Sequence, residues 1–168
     1  MGFLTGKTAI ITGGGRAVLS NGECGSIGYG IATAYAKEGA NLVVTGRNVQ
    51  KLTDAKEELE KKYGIKVLPV QADVSASADN EAIVQNVVKQ AIDTFGRIDV
   101  LINNAQASAS GVTIADHTTE QFDLAVYSGL YAAFYYMKAC YPYLKETKGS
   151  VINLSLIHIS EPTRPISI

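Results

Sequence analysis

The chain has no tryptophan, and only two cysteines, two histidines and four prolines among its 168 residues. Cys24 and Cys140 cannot make a disulfide framework, and His117 and His158 are isolated, so no metal-ligand spacing exists and no metal is expected. Apolar runs such as residues 100–102 are far too short to span a bilayer, so no membrane partner is expected. A surplus of charge is also lacking. Fifteen Lys+Arg against 16 Asp+Glu leave a formal net charge of -1, which offers no basic footprint to nucleic acid or acidic lipid. The amino-terminal stretch MGFLTGKTAIITGGG has no charged region followed by an apolar segment, and Gly6 stands where a myristoylation motif needs Ser or Thr. No secretory leader or lipid anchor is expected, and a reducing cytoplasm is the simplest compartment.

What is present is an alternation. With 46% hydrophobic residues the composition is that of an ordinary globular chain, long enough for one domain with a sizeable core. Thr8–Thr12 (TAIIT) is a β-branched run ending in glycines, and Ile27–Lys37 carries small and apolar residues at helical spacing before Gly39. Asn41–Gly46 is a second buried run, residues 50–63 a charged amphipathic helix closed by Gly64, and residues 66–73 a third strand. Asn80–Phe95 then reads as a helix, residues 99–105 as a strand, residues 119–144 as one long helix, and residues 149–153 as the start of a fifth strand. Strands alternating with helices imply right-handed crossovers and a parallel sheet covered on both faces. The expected fold is an α/β doubly wound parallel sheet, a Rossmann fold.

In such sheets ligands bind where the strands end and strand order reverses. The first strand runs into TGGGRAVLSNGECGSIGYGIA, residues 12–32. Its glycines let backbone approach a pyrophosphate, and a helix starting near Ser26 points free N–H groups at the phosphates. A plain strand-to-helix loop is the bland alternative, but the glycines follow strand one and precede helix one, as phosphate binding requires.

Four motifs in order, TGGG…SIG (residues 12–28), ADV (72–74), NNA (103–105) and GSVIN (149–153), resemble the short-chain dehydrogenase/reductases. The resemblance covers residues 7–153. It implies that Gly13, Gly15, Ser26, Ile27 and Gly28 line the cofactor phosphates. It implies that Asp73 accepts a hydrogen bond from the adenine amino group with Val74 beside it, unless Asp73 only caps the next turn. Asn104 and Ala105 are expected along the cofactor ribose, with Asn103 bracing neighbouring strands. NAD(H) needs a carboxylate at the end of strand two. This chain has Thr45-Gly46-Arg47-Asn48 there, so Arg47 can fork onto a 2′-phosphate, with Arg16 as a second cation, and NADP(H) is favoured over NAD(H). A solvated loop cation is the alternative for Arg47. The implied reaction is hydride transfer between the cofactor and an alcohol or carbonyl of a small-molecule substrate, in an intact protein that forms a homo-oligomer. A non-catalytic nucleotide-binding module and the enoyl-acyl-carrier reductase branch, whose loop SIGYGIA resembles, are the alternatives. A flavodoxin-like domain is disfavoured, since NNA and ADV have no role in it.

The chain departs from the family pattern in several places. The glycine loop is stretched, and Ser26 replaces its middle glycine. Gln106 replaces the glycine of NNAG, and Gly129 stands where the family keeps an asparagine that holds a water in the proton relay. The family's catalytic Ser, just after strand five, aligns with Leu156, and no Tyr follows Tyr143 for the Tyr-x-x-x-Lys pair that lowers a phenol pKa. Tyr141-x-x-x-Lys145 has the right spacing but precedes strand five, and Pro142 is expected to interrupt the helix there and leave a frayed end. No catalytic residue is therefore assigned. Tyr127, Tyr131 and Tyr135 recur at four-residue spacing, expected as a buried packing stripe with a substrate role as the alternative, on a helix that the resemblance places against a partner subunit. Residues 154–165 resemble a translated transposase sequencing adapter. The expected organisation is thus an incomplete dinucleotide-binding domain over residues 1–153, cut within strand five, and a non-native tail over 154–168. A sheet ending there is expected to have a raw edge, to fold poorly and to show no turnover.

Overall fold

The computed structural model describes residues 2–75 and 80–155. Five strands, β1 (Thr8–Thr12), β2 (Asn41–Gly46), β3 (Val67–Gln71), β4 (Val100–Asn103) and β5 (Ser150–Asn153), form one sheet in the order β3-β2-β1-β4-β5. All four pairings are parallel, with Ile11 opposite Val44 on one side and Ile102 on the other. The chain steps outward from β1 to β3, then returns to the far side of β1. Strand order therefore reverses between β1 and β4, and the doubly wound parallel sheet is confirmed.

Both faces are covered. α1 (Ile27–Lys37) and α2 (Val49–Tyr63) pack on one face over Ala9, Ile11, Leu42, Val44 and Ile102. α3 (Asn80–Phe95) and α5 (Ala132–Thr147) cover the other over Ile10, Val43, Val70 and Leu101. Alternate β1 residues thus serve opposite cores, which is why the strand is apolar throughout and fully buried. Helix ends follow local chemistry. Ser26 Oγ caps α1 by accepting Tyr29 N–H, Asn48 Oδ1 caps α2 by accepting Lys51 N–H, and Gly64 closes α2 at φ +68°. No helix among the described residues is long and apolar enough to cross a membrane.

Three expectations need correction. The single long helix is three pieces: α4 (Thr119–Ala125), a π-helical turn (Val126–Tyr131) and α5. Pro142 does not stop α5, which continues to Thr147 and closes at Lys148. Pro142 lies on the exposed face, where water can satisfy the carbonyl it leaves without a donor, while Cys140 and Leu144 bury the opposite face. The tyrosine stripe is only half-buried, with Tyr135 packed against the core under α3 and α5 and Tyr131 exposed. Tyr127, Tyr131 and Tyr135 stack ring on ring along the surface, with centroids 5.1 and 6.1 Å apart and Tyr131 42% exposed. On β5, Val151 and Ile152 are exposed. The aligned Leu156 and most of the tail lie outside the described residues.

Candidate nucleotide site

The site forms at the carboxyl ends of β1, β2 and β4, where strand order reverses. Gly13 turns the chain at φ +72°, a conformation that suits glycine, and its N–H and that of Gly14 both reach Thr45 O, at 2.8 and 3.2 Å. Gly28 lets α1 come down onto this turn. A Cβ there would stand 2.1 Å from Gly13 O. The first turn of α1, with Ile27 and Gly28, therefore presents its orphan N–H groups over the turn. The residues that stretch the loop form a small hairpin, bridged at Val18 and Cys24 and turned at Gly22 (φ +85°). It is set aside from the glycine turn, so the extra length leaves Gly13 and the start of α1 together.

Two cavities meet here. A groove of about 260 Å³ runs past Gly13, Arg47, Asp73, Val74, Asn104 and Ala105. A smaller cavity of about 80 Å³ lies between the ends of β4 and β5, beside Asn103, Asn153 and Leu154. A third hollow brings Gly15, Ser26, Arg47, Asn48 and Lys51 into one corner. Eight of the ten sequence-assigned residues line the groove or the adjoining hollow, and Gly28 packs against Gly13 beside them, while Ile27 lines neither and is exposed.

The charged groups are partly committed. Asp73 Oδ1 accepts Ser75 N–H at 3.0 Å and Ser75 Oγ–H at 2.5 Å. These bonds, with a smaller pull from Arg47, hold the carboxyl below its ordinary range despite some burial. Asp73 thus caps the turn with one oxygen while facing the groove. Arg47 is exposed and forms no ion pair among the described residues, and its backbone O accepts Gln71 Nε2 at 3.0 Å. Arg16 is a correction. Its Nε donates to Glu58 Oε2 at 2.5 Å, which ties the guanidinium to α2 rather than to the groove. That bond also lowers the Glu58 pKa.

Lys51, assigned no role from sequence, lines the Arg47 corner as a second cationic residue. Its only sequence signal is its place in the first turn of α2, three residues after the Asn48 cap. Asn103 Nδ2 donates to Asn153 Oδ1 at 2.8 Å, bracing β4 and β5 as expected. Asn80 Nδ2 donates to Val74 O at 2.7 Å and Tyr127 O at 3.1 Å, joining the groove wall to the π turn. Tyr136 borders the smaller cavity, but burial pushes its phenol up to about 12, so it is not poised to exchange a proton near neutrality.

The arrangement fits a dinucleotide phosphate. It offers a positive-φ glycine turn, a helix N-terminus above it, and a cationic corner without a carboxylate at the end of β2. The family model described as Enoyl-(Acyl carrier protein) reductase matches residues 22–164. The chain belongs to the short-chain dehydrogenase/reductase family. It is 65% identical over 155 residues to a 12alpha-hydroxysteroid dehydrogenase of Clostridium sp., covering 92% of this chain and 57% of that protein. It is 35% identical over 162 residues to hydroxysteroid dehydrogenase-like protein 2 of Mus musculus, covering 92% of this chain and 30% of that one. Among solved structures it is similar to L-sorbose reductase from Gluconobacter frateurii in complex with NADPH and L-sorbose. There the TM-score is 0.80 and the identity 30%, over 97% of this chain and 57% of that chain. An alcohol dehydrogenase from the archaeon Thermococcus sibiricus, complexed with 5-hydroxy-NADP, gives a TM-score of 0.75 at 28% identity, over 86% and 56% of the two chains. This chain spans little more than half the length of the first of these relatives. As a family member it carries the doubly wound sheet of that family.

Proposed function

We propose that the whole protein is an NADP(H)-dependent oxidoreductase that interconverts a secondary hydroxyl and a ketone on a hydroxysteroid. The observation that carries the cofactor half is the corner of Arg47, Asn48 and Lys51, with no acid at the end of β2. A 2′-phosphate is held there by two cations, whereas a 2′-hydroxyl finds no carboxylate. Gly13, Gly15, Ser26, Ile27 and Gly28 carry the pyrophosphate, Asp73 and Val74 the adenine, Asn104 and Ala105 the ribose. When bound, the nicotinamide supplies the hydride acceptor or donor. The chain's own part is to fix the dinucleotide across β1 and β4 so that its reactive end reaches the cavity beside Asn153. The steroid is suggested by the 65% identity to the Clostridium sp. enzyme.

Calorimetric titration of the chain with NADPH and NADH tests the cofactor. NADPH should bind at least tenfold more tightly, and R47A should remove most of that preference while sparing NADH. Equal affinities in the unmutated chain refute the NADP(H) assignment. The full-length gene product, assayed with a 12-keto steroid and NADPH, tests the substrate. The enoyl-reductase reading is favoured by the description of the matching family model and by Ser26-Ile27-Gly28. It requires NADPH oxidation by an enoyl thioester instead.

On this reading residues 154–168 are a non-native tail and the chain alone turns nothing over. Source DNA that continues past codon 153 into Ser and Tyr-x-x-x-Lys codons supports this, and native DNA that encodes the tail refutes it. The intact protein is proposed to be a cytoplasmic homo-oligomer, with the exposed Leu130, Tyr131 and Phe134 against a second copy. Sedimentation as a monomer would contradict that.

A further inference from the structure

The two departures at positions 106 and 129 touch. Gln106 lies across Gly129, with its Cγ and Nε2 both 3.6 Å from where a Cβ on Gly129 would stand. Any side chain at 129 larger than a methyl would compete for the volume the Gln106 amide occupies. The backbone beside it is pinned as well. Ser128 Oγ accepts Ala107 N–H at 2.9 Å and lies 3.1 Å from Ala107 O, which fixes the start of this loop against the π turn. A π turn interrupts regular helix hydrogen bonding and occurs frequently at functional sites. Here it places Ser128 and Gly129 under residues 106 and 107.

Gln106 is exposed, rests on Gly129 and leads into a loop whose next residue is pinned, and its carboxamide forms no hydrogen bond among the described residues. A primary amide offers two donors and an acceptor. It borders both the groove that holds Arg47 and Asp73 and the cavity beside Asn153 and Leu154. A dinucleotide with its adenosine end at Arg47 and Asp73 runs past Gly13 and Asn104 and meets Gln106 as it enters the second cavity.

We propose that Gln106 is a cofactor-contacting residue whose carboxamide hydrogen-bonds the ribosyl-nicotinamide half of the dinucleotide, on a seat that exists because residue 129 is glycine. The inference rests on the dinucleotide reading and adds a specific contact to it.

Two ligands separate the halves of the cofactor. The 168-residue chain is titrated by calorimetry with NADPH and with adenosine 2′,5′-bisphosphate, which lacks the nicotinamide ribose. Q106A should weaken NADPH about fivefold, the loss of one hydrogen bond, and leave the bisphosphate unchanged. G129L, which takes the seat without touching the amide, should give the same selective loss. G129A, whose methyl meets Gln106 at ordinary contact distance, should change neither affinity. Thermal melts accompany each variant, and Q106A alone keeps the contrast if G129L fails to fold. A Q106A variant that weakens both ligands equally, or neither, overturns the proposal. So does a chain that binds the bisphosphate as tightly as NADPH, while leaving the cofactor reading intact. A chain that binds neither ligand removes that reading and this one together.

Discussion

Asn104 donates to Thr12 twice. Its N–H reaches Thr12 Oγ1 at 2.9 Å, and its Nδ2 reaches Thr12 O at 2.8 Å. The same Thr12 oxygen accepts Ala105 N–H at 2.9 Å and donates to Ile102 O at 3.3 Å. One hydroxyl thus fastens the end of β4 to the end of β1, at the point where strand order reverses. It fixes the two backbone segments between which a dinucleotide must fit.

Thr12→Val keeps the shape of this side chain and removes its oxygen. Thr12 is buried, so the N–H groups of Asn104 and Ala105 lose their acceptor together. The expected loss is about 2–4 kcal/mol of folding stability, from two desolvated donors left unpaired. Thr12→Ser retains the oxygen and should lose about 1 kcal/mol or less. Urea denaturation of the three proteins measures both, and equal stabilities for Val and Ser at this position would refute the latch.

Most of the scaffold was legible because parallel strands buried on both faces give short apolar runs that stand out. α1 was read to the residue, since Gly39 follows its last turn and the small residues repeat at helical spacing. The glycine turn was legible because φ > 0 and close approach both select glycine. What was not legible depends on side chains meeting across distant elements. Thr12 looked like the last residue of a strand, and nothing local marks it as the acceptor for residues 104 and 105. Arg16 looked like a free cation until Glu58 of α2 came beside it. The π turn cannot be read from period, because residues 119–144 keep a helical pattern through it. Pro142 misled because the rule against interior proline weakens on an exposed helix face.

Gly28 and Gly30 lie one turn apart at most, yet should respond oppositely to the same change. A Cβ on Gly28 would sit 2.1 Å from Gly13 O, a clash with backbone that cannot yield, whereas one on Gly30 meets only Cys24 Cβ at 3.8 Å. Gly28→Ala should therefore push α1 off the glycine turn and abolish NADPH binding, with a lower melting temperature. Gly30→Ala should raise stability by about 0.5–1 kcal/mol through helix propensity alone. A Gly28→Ala protein that binds NADPH normally would disprove the packing role.

The two thiols should differ sharply in reactivity. Cys24 is exposed on the loop hairpin, while Cys140 is fully buried in α5, where burial pushes its thiol up to about 12. At pH 8 almost none of Cys140 is thiolate, and no reagent reaches it without unfolding. Titration with a disulfide reagent should count one thiol per native chain and two in denaturant. Two thiols reacting at similar rates under native conditions would mean that the α5 core opens readily.

Asp99 is the best place to see pH act on the fold. Its side chain is 5% exposed and accepts Thr8 N–H at 2.9 Å, together with Arg97 Nε and an Arg97 terminal N–H at 2.8 and 2.6 Å. Burial pushes this carboxyl up, but the Arg97 and Thr8 hydrogen bonds outweigh it and hold the pKa below the usual carboxylate range. A depressed folded pKa means the unfolded chain binds the proton more readily. The stabilisation is therefore fully present above the unfolded value of about 4 and fades as pH falls through the lower folded value. Asp99→Asn keeps the size, removes the charge and turns one accepting atom into a donor facing Arg97. It should lose about 1–3 kcal/mol at pH 7 relative to the unmutated chain. That gap should shrink as the pH is lowered below about 4, because the unmutated carboxylate is then being protonated. Denaturation curves of both proteins across that window decide it. A gap that stays constant down to pH 2 would show that Asp99 acts through packing rather than through its charge.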